Sequence, residues 1–269
     1  MASDREVLRQ VWEGKLPVCF SLAEEELQVL QTPDAFYLMV PRLSYFPLVT
    51  EKVKRHFVRF VHPDKQDAEM WLDFNGTPLK WQYPIGVLFD SLLGVDATLP
   101  WNITVHFDKF PEKELLKCPS REVVECHYLS CIKEADALKH RTHIATAMQK
   151  KDHNQLWQGL QNDKFDQFWS INKKLMDCNQ KEGFKHIPYR CHKGDQFCLP
   201  LQRLVRPIEE SERFKTLGDL LSLLQPSDDK NSLRVITQGV EPSWDTPLQW
   251  LSEHFSYPDN FLHLSLHSI

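Results

Sequence analysis

One order of elements runs through this chain twice: strand, strand, helix, strand and turn, helix, strand. In the first pass Leu16, Val18, Phe20 and Leu22 alternate with other residues, as in a half-buried strand. Phe36-Tyr37-Leu38-Met39-Val40 reads as a second strand. Val49, Val53, Phe57 and Phe60 have helical spacing, with Lys52, Lys54, Arg55 and Arg59 on the wet face. Met70, Leu72 and Phe74 alternate again and run into Asn75-Gly76, a strong hairpin turn. Ile85 to Leu93 predicts a helix, and Trp101, Ile103, Val105 and Phe107 predict the closing strand.

The second pass begins with Ile187, Tyr189 and Cys191, then Phe197, Leu199 and Leu201. Thr216 caps a helix carrying Leu217, Leu220, Leu221 and Leu224. Arg234 to Gln238 predicts a strand that turns at Gly239, which lies 163 positions after Gly76. Thr246-Pro247 opens a helix with Leu248, Leu251 and Phe255, with proline at the first helical position. Leu262, Leu264 and Leu266 close the unit. The similar wording of Thr77-Pro78-Leu79 and Thr246-Pro247-Leu248 is out of this register and is a coincidence. A hairpin, a helix across it and further strands is the order of a β-grasp, or ubiquitin-like, unit. One sheet burying one face on one helix is core enough for about 80 residues.

Between the repeats lies a helical region. Residues 109–119 are rich in proline and charge and read as a linker. No proline occurs from Ser120 to Met176, and Ser120 with Glu122 makes a good helix start. Leu156, Trp157, Leu160, Phe165, Phe168, Trp169 and Leu175 fit two core-forming helices broken near Asn162-Asp163. A short helix stands at the N-terminus, with a capping-box spacing at Ser3 and Glu6 and an apolar stripe of Val7, Leu8, Val11 and Trp12. Gly14 ends it, and so short a helix must dock on the body or on a partner. The predicted class is α+β, with two ubiquitin-like domains flanking a helix-rich domain. The predicted division is 1–14 helix, 15–108 first ubiquitin-like domain, 109–119 linker, 120–178 helix-rich domain, 179–185 linker and 186–269 second ubiquitin-like domain.

Charge and cysteine usage narrow the chemistry. Lys and Arg number 32 against 37 Asp and Glu, so the net charge is −5 and binding to nucleic acid is not expected. No apolar run is long enough to span a bilayer, and no secretory signal is expected at Met1. Seven cysteines without a CxxC motif read as reduced thiols in the cytosol. No phosphate-binding glycine loop, GxSxG or HExxH motif is present. Cys126, His127, Cys131, His140 and His143 have metal-ligand side chains but not structural-zinc spacing, so no metal and no cofactor are expected. Asp228-Asp229 and Glu209-Glu210 read as solvated acids in loops.

On the helix after Ser120, Val124, Tyr128, Cys131, Ala135 and Leu138 form one narrow stripe at about 100° per residue. Lys133 stands about 180° from that stripe and points to solvent. Lys139 lies only about 60° from it. By pattern alone Lys133 reads as an ordinary solvated lysine.

Longer runs resemble a known family. They are Val49-Thr50-Glu51-Lys52-Val53-Lys54, Gly76 to Gly86, Leu99 to Phe107, Lys133 to His140, Gln155 to Met176 and Thr246 to Leu264. These segments resemble the autophagy protein 5 family over nearly the whole chain, least so in 24–35, 178–197 and 226–234. The resemblance implies a scaffold and substrate with no catalytic residues of its own. The family carries a ubiquitin-like modifier, autophagy protein twelve, joined by an isopeptide bond to one lysine in a Ser-Cys-Met-Lys-Glu-Ala-Asp-Ala-Leu-Lys segment. Here that segment is Ser130 to Lys139 with Ile132 as the one departure, so the implied acceptor is Lys133. Also implied are a coiled-coil partner, autophagy protein sixteen, and a conjugating enzyme reached through the conjugate. The complex would promote lipidation of a second ubiquitin-like protein with phosphatidylethanolamine, in the cytoplasm and peripherally at the phagophore membrane. Lys150-Lys151, Lys173-Lys174 and Arg203/Arg206 are basic spots that would touch anionic lipid, though singly each reads first as a solvated face.

A lysine amine with a reference pKa near ~10.4 is almost wholly ammonium at neutral pH. Glu134 and Asp136 are expected to favour that form, so activation must come from the conjugating enzyme. The chain ends in His267-Ser268-Ile269 and not in glycine, so its ubiquitin-like units are expected to be recognition modules and not transferable tags. Two other readings stand beside this one: an unconjugated adaptor, and a cytosolic cysteine hydrolase.

Overall fold

The structure, a computed structural model, describes residues 4–27, 32–94, 97–140, 144–178, 183–193, 200–209, 211–224 and 233–268. The first sheet is built from β1 (Lys15–Leu22), β2 (Phe36–Pro41), β3 (Trp71–Phe74), β4 (Thr77–Pro78) and β5 (Trp101–His106), in the order β2-β1-β5-β3-β4. β1 is antiparallel to β2 and parallel to β5, and β3 is antiparallel to β5. The second sheet has β6 (Tyr189–Lys193), β7 (Leu233–Ile236) and β8 (Leu262–Ser268) in the order β6-β8-β7. In each sheet the last strand lies between the first, parallel to it, and an antiparallel neighbour, β3 beside β5 in one and β7 beside β8 in the other. Thus the sequence repeat is a repeat of topology.

The turns also repeat. Asn75 and Gly76 have φ of 50° and 80°, and Gln238 and Gly239 have 53° and 77°. Two successive left-handed residues match the twist of the strands they join, and glycine takes the second place without a Cβ clash. Each sheet buries one face on helices. Phe20, Ile103 and Val105 meet Val53 and Phe57 of α3 (Glu51–Phe57), which follows the short α2 (Phe46–Val49), and Leu88 of α4 (Ile85–Leu93). Cys191, Leu262 and Leu264 share a core with residues of two helices described below. Phe197 and Leu199 of the expected strand lie outside the described residues; Leu201 makes an isolated bridge to Cys191.

The middle region is helical as expected: α5 (Arg121–Lys139), α6 (Ile144–Ala147), α7 (Lys150–Gln161) and α8 (Phe165–Leu175). The break falls at Asn162–Lys164, with Asp163 at φ 53°. α7 and α8 cross closely because Gly159 has no side chain: a Cβ there would stand 2.7 Å from the Phe168 amide nitrogen. α1 (Arg5–Glu13) docks on this bundle through Trp12, whose ring centroid is 4.9 Å from that of Phe168. The expected capping residue shifts by one. Asp4 Oδ1 accepts from the Glu6 and Val7 amides, each at 3.2 Å, while Ser3 lies outside the described residues. An aspartate at this place satisfies the same orphan donors and adds charge against the helix dipole.

The second unit holds α9 (Leu217–Leu224) and α10 (Leu248–His254). Thr216 Oγ1 accepts from the Asp219 amide at 3.3 Å, and Asp219 Oδ2 accepts from the Thr216 amide at 2.8 Å, a reciprocal cap. Pro247 sits one residue ahead of α10 as its cap and not at the first helical position. The connecting segment 109–119 is fastened to the first unit. Leu115 is buried, and Trp81 Nε1 donates to the Leu116 carbonyl at 2.7 Å.

The ubiquitin-like units share a buried polar seam. Arg42 donates to Asp90 of α4, whose other oxygen accepts from the Gly239 amide at 3.0 Å. Burial pushes the Asp90 carboxyl up, against the opposing pull of Arg42. Ser91 and Ser265 hydroxyls meet at 2.7 Å, and His267 Nε2 donates to the Asp90 carbonyl at 2.7 Å. Burying so many polar groups in register fixes the relative placement of the two units. Among the described residues, no helix is long and apolar enough to cross a membrane.

Candidate functional site

α5 is the element to which the sequence assigns function, and it is covered on more than one side. Val124, Tyr128 and Ile132 enter the bundle core, and Cys131 and Ala135 pack with Phe261 of the second unit. Lys133 falls on the side left over and is exposed. Among the described residues no hydrogen bond or ion pair engages its amine.

The two acids expected to act on Lys133 are engaged elsewhere. Glu134 accepts from Arg190 Nη2 at 2.9 Å. The Arg190 guanidinium lies 3.8 Å from the Phe261 ring centroid, a close cation–π contact. Burial works against the Arg190 charge, but Asp259, Cys131 and Glu134 outweigh it and hold this guanidinium above its ordinary value. Asp136 is buried, accepting from His140 Nδ1 at 2.8 Å and from the Ala145 amide at 2.8 Å. Its charge is spent on joining α5 to α6. The reason is geometric: residues one apart on a helix diverge by about 100°, so Glu134 reaches the second unit and not its neighbour.

Lys139 is the contrasting lysine. It is 2% exposed, and its Nζ donates to Asn260 Oδ1 at 2.8 Å and contacts Met176 Sδ at 3.1 Å. Burial lowers its pKa to about 7, against the partial support of Asp136 and Asp259. Asn260 is held at φ 67°, a left-handed position asparagine tolerates, and its amide also reaches Asn172 Oδ1 at 2.8 Å. Lys139 therefore ties α5, α8 and the second unit together and has no route to an incoming carbonyl.

The remaining sequence candidates are dispersed. Cys131 Sγ is 3.7 Å from His127 Nε2, but burial pushes the thiol up to about 11, so no thiolate forms near neutral pH. His127 is itself pushed down by burial and contacts the Gln82 carbonyl at 3.0 Å. Cys126 is exposed, His140 is held by Asp136, and His143 lies outside the described residues. Among the described residues no group of three His, Cys, Asp or Glu is placed to hold a metal ion. Glu209 pairs with Arg213 at 2.8 Å, while Glu210 and Asp228-Asp229 lie outside the described residues.

Sequence reasoning named no partner groove, and the structure has a narrow one. Leu8, Val11 and Trp12 of α1, Leu43 of the first unit, Trp169 of α8 and, from the second unit, His254 at the end of α10 line a cleft where all three units meet. Within it Trp12 Nε1 and His254 Nε2 are buried without a hydrogen-bond partner among the described residues. No local sequence signal brings these residues together.

Three family models cover the chain in order: the autophagy protein ATG5 UblA domain over 11–107, the ATG5 alpha-helical bundle region over 121–178 and the ATG5 UblB domain over 186–266. The chain belongs to the autophagy protein 5 family. Autophagy protein 5 of Drosophila melanogaster is 50% identical over 267 residues, covering 99% of this chain and 98% of that protein. Autophagy-related protein 5 of Caenorhabditis elegans is 35% identical, with 98% of each chain covered. The crystal structure of Kluyveromyces marxianus Atg5 superposes with a TM-score of 0.82 at 21% identity, over 97% of this chain and 98% of that one. That likeness speaks for the fold, two ubiquitin-like domains about a helical bundle.

Proposed function

We propose that this autophagy protein accepts a ubiquitin-like modifier, autophagy protein twelve, through an isopeptide bond at Lys133. The single observation that carries this proposal is the contrast on α5: Lys133 is exposed and free of ion pairs among the described residues, while Lys139 is buried. In the reaction the neutral amine attacks the thioester carbonyl of the modifier's C-terminal glycine. The C–N bond forms, the C–S bond breaks, the thiol of the conjugating enzyme leaves and the amine gives up a proton. Among the described residues no group engages the Lys133 amine to take that proton, so the conjugating enzyme must take it. The chain itself acts as substrate and scaffold and not as a catalyst.

The proposal extends to a coiled-coil partner, autophagy protein sixteen. Half-buried Val11 and Trp169 at the three-unit cleft would pack against the apolar face of a helix from such a partner. The assembled conjugate would promote lipidation of a second ubiquitin-like protein with phosphatidylethanolamine, in the cytoplasm at the phagophore membrane. The proposed division into units stays at 15–108, 120–178 and 186–269, with linkers 109–119 and 179–185. Lys133→Arg keeps charge and helix propensity and removes the nucleophile; conjugation in a reconstituted reaction should be lost. Conjugation at the wild-type level would remove Lys133 from the proposal.

A further inference from the structure

Two histidines 71 positions apart meet in the second ubiquitin-like unit. His192 of β6 and His263 of β8 are buried and stacked, with ring centroids 5.2 Å apart at 11°. His192 Nε2 lies 2.9 Å from His263 Nδ1, and His263 Nε2 donates to Asp259 Oδ2 at 2.9 Å. The other Asp259 oxygen accepts from the Phe261 amide at 3.0 Å. Two facing ring nitrogens at that distance hold one proton between them. A second proton would set two N–H groups head to head and break the bond. The other two units reach this pair as well. Tyr83 of the first unit stands edge-on to both rings, at 5.2 Å from His192 and 6.5 Å from His263. From the bundle, Cys131 Sγ of α5 lies 3.8 Å from Nη1 of Arg190, two residues before His192.

Among the described residues, the groups that face the pair offer no anion for a second cation. Burial pushes the Asp259 carboxyl up, but His263 and Arg190 outweigh it and hold it below its ordinary value, so this one anion already serves two cations. Glu134 of α5 is taken by Arg190 at 2.9 Å. Also on α5, burial pushes His127 down and the Cys131 thiol up to about 11. Tyr83 and Tyr257 face the rings as phenols that burial pushes up, and Tyr45 and Tyr128 stand near Asp259 in the same state. Burial, with His263 and Arg190 close by, pushes His192 well below its ordinary 6.5, against the pull of Asp259. Once parted from its neighbours, the His192 ring would take a proton at its ordinary value. The closed arrangement therefore has its full advantage above pH 6.5 and loses it as pH falls below that value.

We propose that the His192–His263 pair is an acid-sensitive joint, whose uptake of a second proton parts the second ubiquitin-like unit from Tyr83 of the first and from α5. The joint stands apart from conjugation at Lys133, so either proposal survives the failure of the other. The test is hydrogen exchange of the unconjugated full chain, with labelling times scaled to the intrinsic exchange rate at each pH. Peptides over β6 and β8 should lose protection about tenfold from pH 6 to pH 5, the change that one extra proton in the open form gives. Peptides over β1 and β5 should keep theirs. His192→Gln keeps a hydrogen-bonding group without a titrating ring and should show no such loss. If that variant misfolds, the ring-proton resonances of His192 in the wild type decide, and they should stay at neutral-imidazole positions at pH 6. A His192 ring that titrates at its ordinary value while protection stays constant would overturn the proposal. So would a His192→Gln variant as acid-sensitive as wild type, or an equal loss of protection over β1 and β5, which is unfolding of the whole chain.

Discussion

The two lysines of α5, six residues apart, have opposite fates. Lys133 projects from the exposed side of the helix, whereas Lys139 ends where α5, α8 and the second ubiquitin-like unit converge. Burial moves Lys139 toward the neutral and intrinsically nucleophilic form, so chemistry alone would favour it as an acceptor. Access decides otherwise. An amine that no thioester can reach is structural whatever its pKa, and the exposed one must be activated from outside.

Amine labelling of the native protein would break this contrast most visibly. Lys133 should react at the rate of a free lysine, and Lys139 should be protected by about a thousandfold or more, reacting only through opening of the fold. Mass spectrometry of peptides after a short pulse checks this; similar rates at both positions would refute the contrast. Lys139→Ala should cost about 2–5 kcal/mol in denaturant unfolding, because it leaves a cavity and removes the partner of Asn260 Oδ1.

Stability should also depend on pH through Lys139. Its folded pKa of about 7 lies below the ordinary 10.5, so between those values the unfolded chain holds a proton that the folded chain lacks. Stability of the wild type relative to Lys139→Met should therefore be lowest at and below pH 7 and rise as pH climbs toward 10.5. A flat difference across that window would contradict the burial of this amine. At the small end, Lys133→Gln should leave unfolding within about 0.5 kcal/mol of wild type, as an exposed position predicts.

Much of the fold was legible because its elements are marked locally. Alternation at Leu16 to Leu22 and at Trp101 to Phe107, the turn residues Gly76 and Gly239, and the break near Asn162-Asp163 each carry a short-range signal. The exposure of Lys133 was legible because one buried stripe was enough to place its opposite face. What escaped was whatever depends on a second neighbour. The wheel gave α5 one buried stripe, but the helix is packed on two sides, which takes Ile132, Asp136 and Lys139 out of water. The same blindness assigned Glu134 to Lys133, when Arg190, 56 residues further on, takes it. The Arg42–Asp90–Gly239 seam joins residues far apart in the chain, and nothing around any of them announces the others.

The contrast between the two lysines is tested most directly by digesting the purified conjugate and sequencing the branched peptide by mass spectrometry. The branch should fall on Lys133, with Lys139 recovered unmodified. A branch at Lys139, or at any other lysine with Lys133 unmodified, would contradict it.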